Sequence, residues 1–317
     1  PKVPLKKLYF KPHGSGTVGM TWKNHHSSFF KFLNKDFKNL IIEIGGGHNS
    51  VSESIGLSGF KKNYKLISFD PNGKKYANPN HLIVKDFFSK KYVTKYKDNV
   101  SLVIHSHLFE HIYDPNKFLM DINNSLKIGG LHIFSVPNLK FMIKNGYSNA
   151  MNFEHPYFLE ENMIDYLLKK NGFKILKKRK YLNHSIFYKT KKTTINPKKI
   201  KAYRKFKLNK NLFKDYYKNL KKDINLINKK IKTYQSVYLF GAHIFSQMLI
   251  FNGLNLSSIK NILDNDKKKQ NRYLYGTKIK VVGPKSLSKV DKPVIILRAA
   301  QYNNEIKKDI LKNINKK

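Results

Sequence analysis

Asn39-Leu40-Ile41-Ile42-Glu43-Ile44-Gly45-Gly46-Gly47-His48-Asn49 is the stretch whose reading decides the fold. A short apolar run of this kind is a strand covered on both faces. Glycines directly after a first strand let the backbone turn tightly and let a ligand come close to it. Working outward, further short apolar runs stand at 65–70, 81–84, 100–104 and 131–136, with helix-length segments between them. Residues 159–171 read as a helix closed by Gly172, and 173–176 and 185–188 as two last strands. Strands alternating with helices imply a parallel sheet with helices on both sides.

The strand ends carry chemistry. Asp70 ends the second strand, where a carboxylate can accept both hydroxyls of a ribose. Asp86-Phe87 follow the third, where an acid and a ring can grip an adenine. Glu110-His111 lie just beyond the fourth, at the carboxyl edge where open α/β sheets bind ligands. The triple-glycine turn lacks the spacing of a nicotinamide fingerprint, which needs three glycines over six residues.

Composition sets the outer bounds. The chain has 317 residues, room for two domains. Lys and Arg number 62 against 20 Asp and Glu, a formal charge of +42, yet 40% hydrophobic content excludes a disordered polycation. Only Arg179, Arg204, Arg272 and Arg298 are arginines, whereas nucleic-acid readers favour arginine's planar fork. The charge therefore reads as a solvated lysine coat, and a nucleic-acid partner is argued against. No cysteine is present, which excludes disulfides, thiolate zinc sites and a cysteine nucleophile. No metal site is expected. No apolar stretch reaches the roughly 18–20 residues of a membrane helix, and the N-terminus shows no signal pattern. The expectation is a soluble, cytoplasmic protein with no membrane insertion. The chain opens on Pro1 without a methionine, which leaves room for an earlier segment.

Four regions follow. Residues 1–34 form an arm and a short helix, with Gly14-Ser15-Gly16-Thr17, Trp22, His25, His26 and the apolar cluster Phe29, Phe30, Phe32 and Leu33. Residues 35–190 hold the first α/β domain. Residues 191–235 are a lysine-rich helical linker whose Leu220, Ile224, Ile227, Ile231 and Tyr234 repeat at helical spacing. That stripe either packs on its own neighbours or forms a homodimer seam. Residues 236–317 form a second, smaller α/β domain, opened by Val237-Tyr238-Leu239-Phe240-Gly241-Ala242.

Over roughly residues 38–180 the chain resembles the class I S-adenosylmethionine-dependent methyltransferases. Glu43-x-Gly45-x-Gly47 is similar to that family's first motif, Asp70 to its ribose-binding acid and Asp86 to the acid near the adenine. The stretches from His107 to Pro115, Leu126-Lys127-Ile128-Gly129-Gly130 and Ser135-Val136-Pro137-Asn138 are typical of it as well. Asn49 stands where many members have a third glycine. The resemblance implies an α/β Rossmann-like methyltransferase domain, a parallel sheet with an antiparallel last strand. It also implies S-adenosyl-L-methionine as cofactor, with S-adenosyl-L-homocysteine as product. Its expected contacts are Glu43, Gly45, Gly46, Gly47, Asp70, Asp86, Phe87, Ser106 and His107.

Phe153-Glu154-His155-Pro156-Tyr157-Phe158 resembles a segment of methyltransferases acting on nucleotide-linked deoxysugars. So do Phe240-Gly241-Ala242, Ile262-Leu263-Asp264-Asn265-Asp266-Lys267, Gly276-Thr277-x-Ile279 and Tyr302-x-x-Glu305-Ile306. Those enzymes carry a cysteine-ligated zinc domain that this chain lacks. One residue separates His155 from Tyr157 where their pattern has two, and Asn152 replaces a common tyrosine. The resemblance implies methyl transfer to a sugar acceptor, a nucleotide sugar or a surface-polysaccharide (capsule-type) precursor, with O- and C-methylation both open. His155 is the expected general base, with Glu154 beside it and His111 next in line. His25, His26, Tyr157, Gly241, Ala242 and Tyr302 are the expected acceptor contacts, Gly241-Ala242 as a phosphate seat at a helix N-terminus. The alternatives are an RNA methyltransferase and a non-catalytic S-adenosylmethionine-binding partner of a glycan pathway.

Overall fold

The computed structural model describes residues 3–4, 7, 19–36, 38–46, 51, 53–55, 63–74, 78–194 and 203–316. Gly14 to Thr17 and the Gly47-His48-Asn49 part of the glycine turn lie outside them. In chain order, the first elements are α1 (Met20–Leu33), β1 (Asn39–Ile44), β2 (Tyr64–Phe69), β3 (His81–Val84), α2 (Lys90–Lys95) and β4 (Val100–Ser106). They continue with α3 (Pro115–Ser125), β5 (Leu126–Pro137), α4 (Leu139–Lys144), α5 (Glu161–Lys170), β6 (Phe173–Tyr181) and β7 (Ser185–Lys192). Then come α6 (Phe206–Ile231), β8 (Val237–Phe240), α7 (Ile244–Phe251), β9 (Ile259–Leu263), β10 (Val281–Val282), β11 (Val294–Ile296) and α8 (Asn303–Asp309).

The chain divides into two compact units, one of residues 1–138 and 154–204, the other of 139–153 and 205–317. The first is built on a seven-stranded sheet in the order β3-β2-β1-β4-β5-β7-β6. β1 pairs parallel with β2 and β4, and β4 with β5, while β7 runs antiparallel to both β5 and β6. This is the expected Rossmann-like sheet, with the antiparallel strand last in sequence but next to last in space. Alternate residues of each strand feed two cores. Ile42, Ile67, Val103 and Phe134 pack on one face with Leu119, Ile122, Ile164 and Leu168 of α3 and α5. Ile41, Leu66, Leu102, Ile104 and Phe187 pack on the other with Phe29, Phe30 and Leu33 of α1. Arg179 fastens α1 down: its guanidinium donates to the Ser28 carbonyl at 2.6 Å and lies over the Phe32 and Phe187 rings.

Helix ends follow local chemistry. Asp114 caps α3 by accepting from the Lys117 amide at 2.9 Å, with Pro115 preset in the first turn. Glu160 accepts from the Asn162 amide at the start of α5, and Gly172 (φ 79°) ends that helix in the left-handed region.

Three strands run longer than the apolar runs suggest. β5 begins at Leu126, because Val100 pairs with Leu126 and Leu102 with Leu131, so Lys127 to Gly130 are looped out as a bulge. β6 extends to Tyr181 and β7 to Lys192. Lys174, Lys177, Lys178 and Lys180 hide the extension of β6, which is an edge strand with lysines toward solvent.

The second unit has a four-stranded parallel sheet, β10-β9-β8-β11, the expected smaller α/β domain. α6 is a 26-residue helix that buries Tyr216, Leu220, Ile224 and Ile231, so most of the apolar stripe is spent within the unit. Tyr216 donates to Ser148 Oγ at 3.3 Å, and Arg298 reaches Asp223 of α6 and the Gly146 carbonyl. Among the described residues no helix is long and apolar enough to cross a membrane.

The first unit's interior holds a chain of neutral histidines. His105 on β4 and His132 on β5 are 1% and 0% exposed, with their Nε2 atoms 2.9 Å apart. Burial pulls both far below the usual imidazole range, His132 to about 3. For His132 the unfolded chain takes up its proton near pH 6.5 and the folded protein only near 3, so the stability this group contributes is full above 6.5 and is lost as pH falls toward 3; His105 acts in the same direction. At pH 5 His132 alone costs about 2 kcal/mol. Urea denaturation at pH 7.5 and 5.0 checks this: a drop of at least that size is expected, and His132→Phe is expected to flatten it.

Candidate active site

Strand order reverses between β1 and β4: β2 and β3 lie on one side, β5 on the other. Ligands of open α/β sheets bind in the crevice at such a point, beyond the carboxyl ends of the strands. The parallel registers set those ends level, with Ile44 opposite Phe69 and Glu43 opposite Ile104.

The floor of the crevice starts at Glu43. Its side chain is buried and accepts a 2.5 Å hydrogen bond from Ser68 Oγ, which itself lies 2.7 Å from His81 Nε2. Burial pushes the Glu43 carboxyl up to about 7, helped by the nearby Asp70 charge and opposed by the Ser68 bond. Gly45 sits at φ 78°, where a Cβ is strained, and a Cβ on Gly46 would come within 2.3 Å of Glu43 Oε2. The glycines are thus required twice over, by the turn and by the acid folded against it.

Asp70 follows β2 with its amide on the Val84 carbonyl, and its Oδ1 accepts from the Asn72 amide at 2.7 Å. Asp86 is held by Lys91 Nζ at 2.7 Å, the Tyr92 hydroxyl at 3.0 Å and the Phe87 amide at 2.8 Å. The Lys91 bond, foremost, keeps its carboxyl below the usual range. Ser106 ends β4. His107 follows at φ 49°, its amide on the Ser135 carbonyl and its Nε2 2.8 Å from Ser185 Oγ. Burial lowers His107 to about 3.

Beyond β4 stands a rim of acids and imidazoles. Glu110 is 2% exposed, and burial raises its carboxyl against the pull of His111 and His155. Its Oε1 lies 3.4 Å from His107 Nδ1 and 3.9 Å from His111 Nε2. His111 Nδ1 lies 3.7 Å from Glu154 Oε2, and its ring is 4.9 Å from that of His155. The three residues expected to handle a proton are therefore neighbours, His111 from the segment after β4 meeting the consecutive pair Glu154-His155. Tyr157 lines a cavity of about 300 Å³ with Tyr113, Asn116 and Met163.

A second imidazole group includes His25, buried on α1, with Nε2 2.9 Å from Ser135 Oγ. Its ring lies 5.1 Å from His107, 5.3 Å from His184 and 5.4 Å from His26. Trp22 packs edge-on against His107 and His184. Burial holds His25 far below the usual imidazole range and His184 at about 3.

In the second unit, Gly241 turns at φ 100° and the Ala242 amide donates to Asp264 Oδ2 at 2.8 Å. The donor expected to face a phosphate thus faces the chain's own carboxylate. Tyr302 lies at the start of α8, its ring 6.5 Å from that of Phe245.

Sequence reasoning did not single out Ser68, His81, Trp22, His184 or Ser185. Ser68 and His81 meet only through the β2–β3 register, which sets His81 opposite Leu66, two residues from Ser68 on the same face. His184 precedes an antiparallel strand whose position in space no local pattern encodes.

Residues 26–178 match the family model for a methyltransferase domain, and residues 187–316 the one for a C-methyltransferase C-terminal domain. No curated protein matches the chain. The chain is similar to solved S-adenosylmethionine-dependent methyltransferases. That of Archaeoglobus fulgidus is 14% identical, covering 54% of this chain and 94% of that one, TM-score 0.42. That of Aquifex aeolicus is 14% identical, covering 52% and 89%, TM-score 0.40. That of Mesorhizobium loti is 10% identical, covering 55% and 99%, TM-score 0.42. With both family models in place, the chain is an enzyme of the S-adenosylmethionine-dependent methyltransferase type.

Gly46→Ala is expected to cost about 1–3 kcal/mol by forcing Glu43 off Ser68. In a Glu43→Ala background the same change should cost clearly less. A urea-denaturation double-mutant cycle measures the coupling, and strict additivity would refute the account.

Proposed function

We propose that this S-adenosylmethionine-dependent methyltransferase methylates a carbon atom of a sugar acceptor, nucleotide-linked or a surface-glycan precursor. The observation that carries the reading is the rim of His111, Glu154 and His155, set at the carboxyl edge of a sheet with a methyltransferase-domain match. The C-methyltransferase description of the C-terminal match supports carbon over oxygen. The likeness of Glu154-His155-Pro156-Tyr157-Phe158 to a deoxysugar-methyltransferase segment supports the sugar.

The crevice fits the cofactor: a bend without side chains at Gly45 and Gly46 adjoins the acid at the end of β2. In this reading Asp70 accepts the ribose hydroxyls and Asp86 with Phe87 holds the adenine. Glu43 braces the turn from beneath, and Ser106 and His107 line the other end. When bound, S-adenosylmethionine supplies an activated methyl group on a sulfonium. A carbon nucleophile needs a C–H acidified by a neighbouring carbonyl, so the acceptor is a keto sugar. His155 takes that proton as the general base. Glu154 and His111 orient it, and His26 and Tyr157 contact the acceptor.

Incubation with labelled methyl donor and a panel of keto-sugar nucleotides, glycan intermediates and RNA tests the substrate class. Label on a keto-sugar carbon is expected, and label on RNA alone would overturn it. His155→Ala is expected to lower turnover about 10²–10⁴-fold while S-adenosylhomocysteine affinity stays within about twofold. Asp70→Ala should do the reverse to binding, weakening that affinity by about 10–100-fold in calorimetry.

A further inference from the structure

We propose that His25, His107 and His184 form a binding site for a divalent transition ion of the zinc class. Three separate elements deliver them: α1, the turn after β4 and the β6–β7 hairpin. One nitrogen from each lies within 4.8 Å of those of the other two. His25 is fully buried, and its Nδ1 has no hydrogen-bond partner. The other nitrogen, Nε2, lies 2.9 Å from Ser135 Oγ, so His25 carries one ring nitrogen that no hydrogen bond occupies. A buried acceptor without a partner calls for an explanation, and an ion supplies one.

The surroundings have the character of a metal site's outer layer. Glu110 Oε1 lies 3.4 Å from His107 Nδ1, and a carboxylate beside a histidine nitrogen fixes the ring's orientation and tautomer. Ser185 Oγ stands between His107 Nε2 at 2.8 Å and His184 Nδ1 at 2.5 Å, bringing the two rings to a common point. Zinc–nitrogen bonds of about 2.0–2.1 Å put tetrahedral ligands roughly 3.4 Å apart, so loading draws the rings together. Three imidazoles without an oxygen ligand select a borderline ion such as zinc, cobalt or nickel over magnesium or calcium. Three protein ligands also leave a fourth position for water or another ligand. The proposal does not depend on the identity of the methyl acceptor.

The test uses the full chain, stripped with a chelator and dialysed against zinc, with cobalt as a spectroscopic probe. One equivalent of zinc per chain is expected, together with visible d–d absorption of four-coordinate cobalt. His107→Ala and His184→Ala should each weaken zinc binding by at least about 100-fold, and Glu110→Gln by about 10–100-fold. Circular dichroism checks that each variant is folded. If the histidine variants do not fold, the wild-type stoichiometry and Glu110→Gln decide. Less than about a tenth of an equivalent in the wild type would overturn the proposal. So would unchanged affinity in Glu110→Gln together with His184→Ala, or binding lost in His111→Ala but kept in His184→Ala, which would place the ion on Glu110, His111 and His155 instead.

Discussion

The parting of β1 and β4 is the constraint on which the first unit depends. From these two central strands the chain lays down neighbours in opposite directions, so the connections that leave them diverge. The parallel registers bring the carboxyl ends of the flanking strands level at that point. Glu43 and the glycines, Asp70, Ser106 and His107 belong to separate stretches of sequence, and this one topological fact gathers them. The two cores, one on each face, hold the strands rigid enough for that edge to be a defined surface.

The price of the arrangement is polarity in the interior. Histidines 25, 105, 107, 132 and 184 are all pushed toward the neutral form by burial. His105 and His132 lie within the sheet and only pack, whereas His25, His107 and His184 converge near its carboxyl edge. Glu110 joins the latter group to the His111–His155 rim through a single buried carboxyl.

Much of this was legible in the sequence, and for a physical reason. A strand buried on both faces is apolar along most of its length, so β1, β2, β4 and the second half of β5 stand out from a lysine-rich background, and the stripe at Leu220, Ile224 and Ile231 reads as a helix. Edge strands escape the rule: β6 needs apolar residues on one side at most, and its lysines conceal half its length. The Ser68–His81 and Ser185–His184 contacts depend on strand register and hairpin closure, which single residues do not announce. The grouping of residues 139–153 with the second unit was also invisible, because Ser148 and Gly146 meet Tyr216 and Arg298 far along the chain.

The second unit offers one last lesson in the bond from the Ala242 amide to Asp264. Strand-to-helix turns of this shape ordinarily remain incomplete until an anionic guest arrives. Here the polypeptide furnishes its own guest, and Asp264 also receives the Asp266 amide at 2.8 Å and Lys269 at 3.4 Å. The turn is consequently finished on folding, and any visiting phosphate would have to evict a tethered competitor whose local concentration never falls.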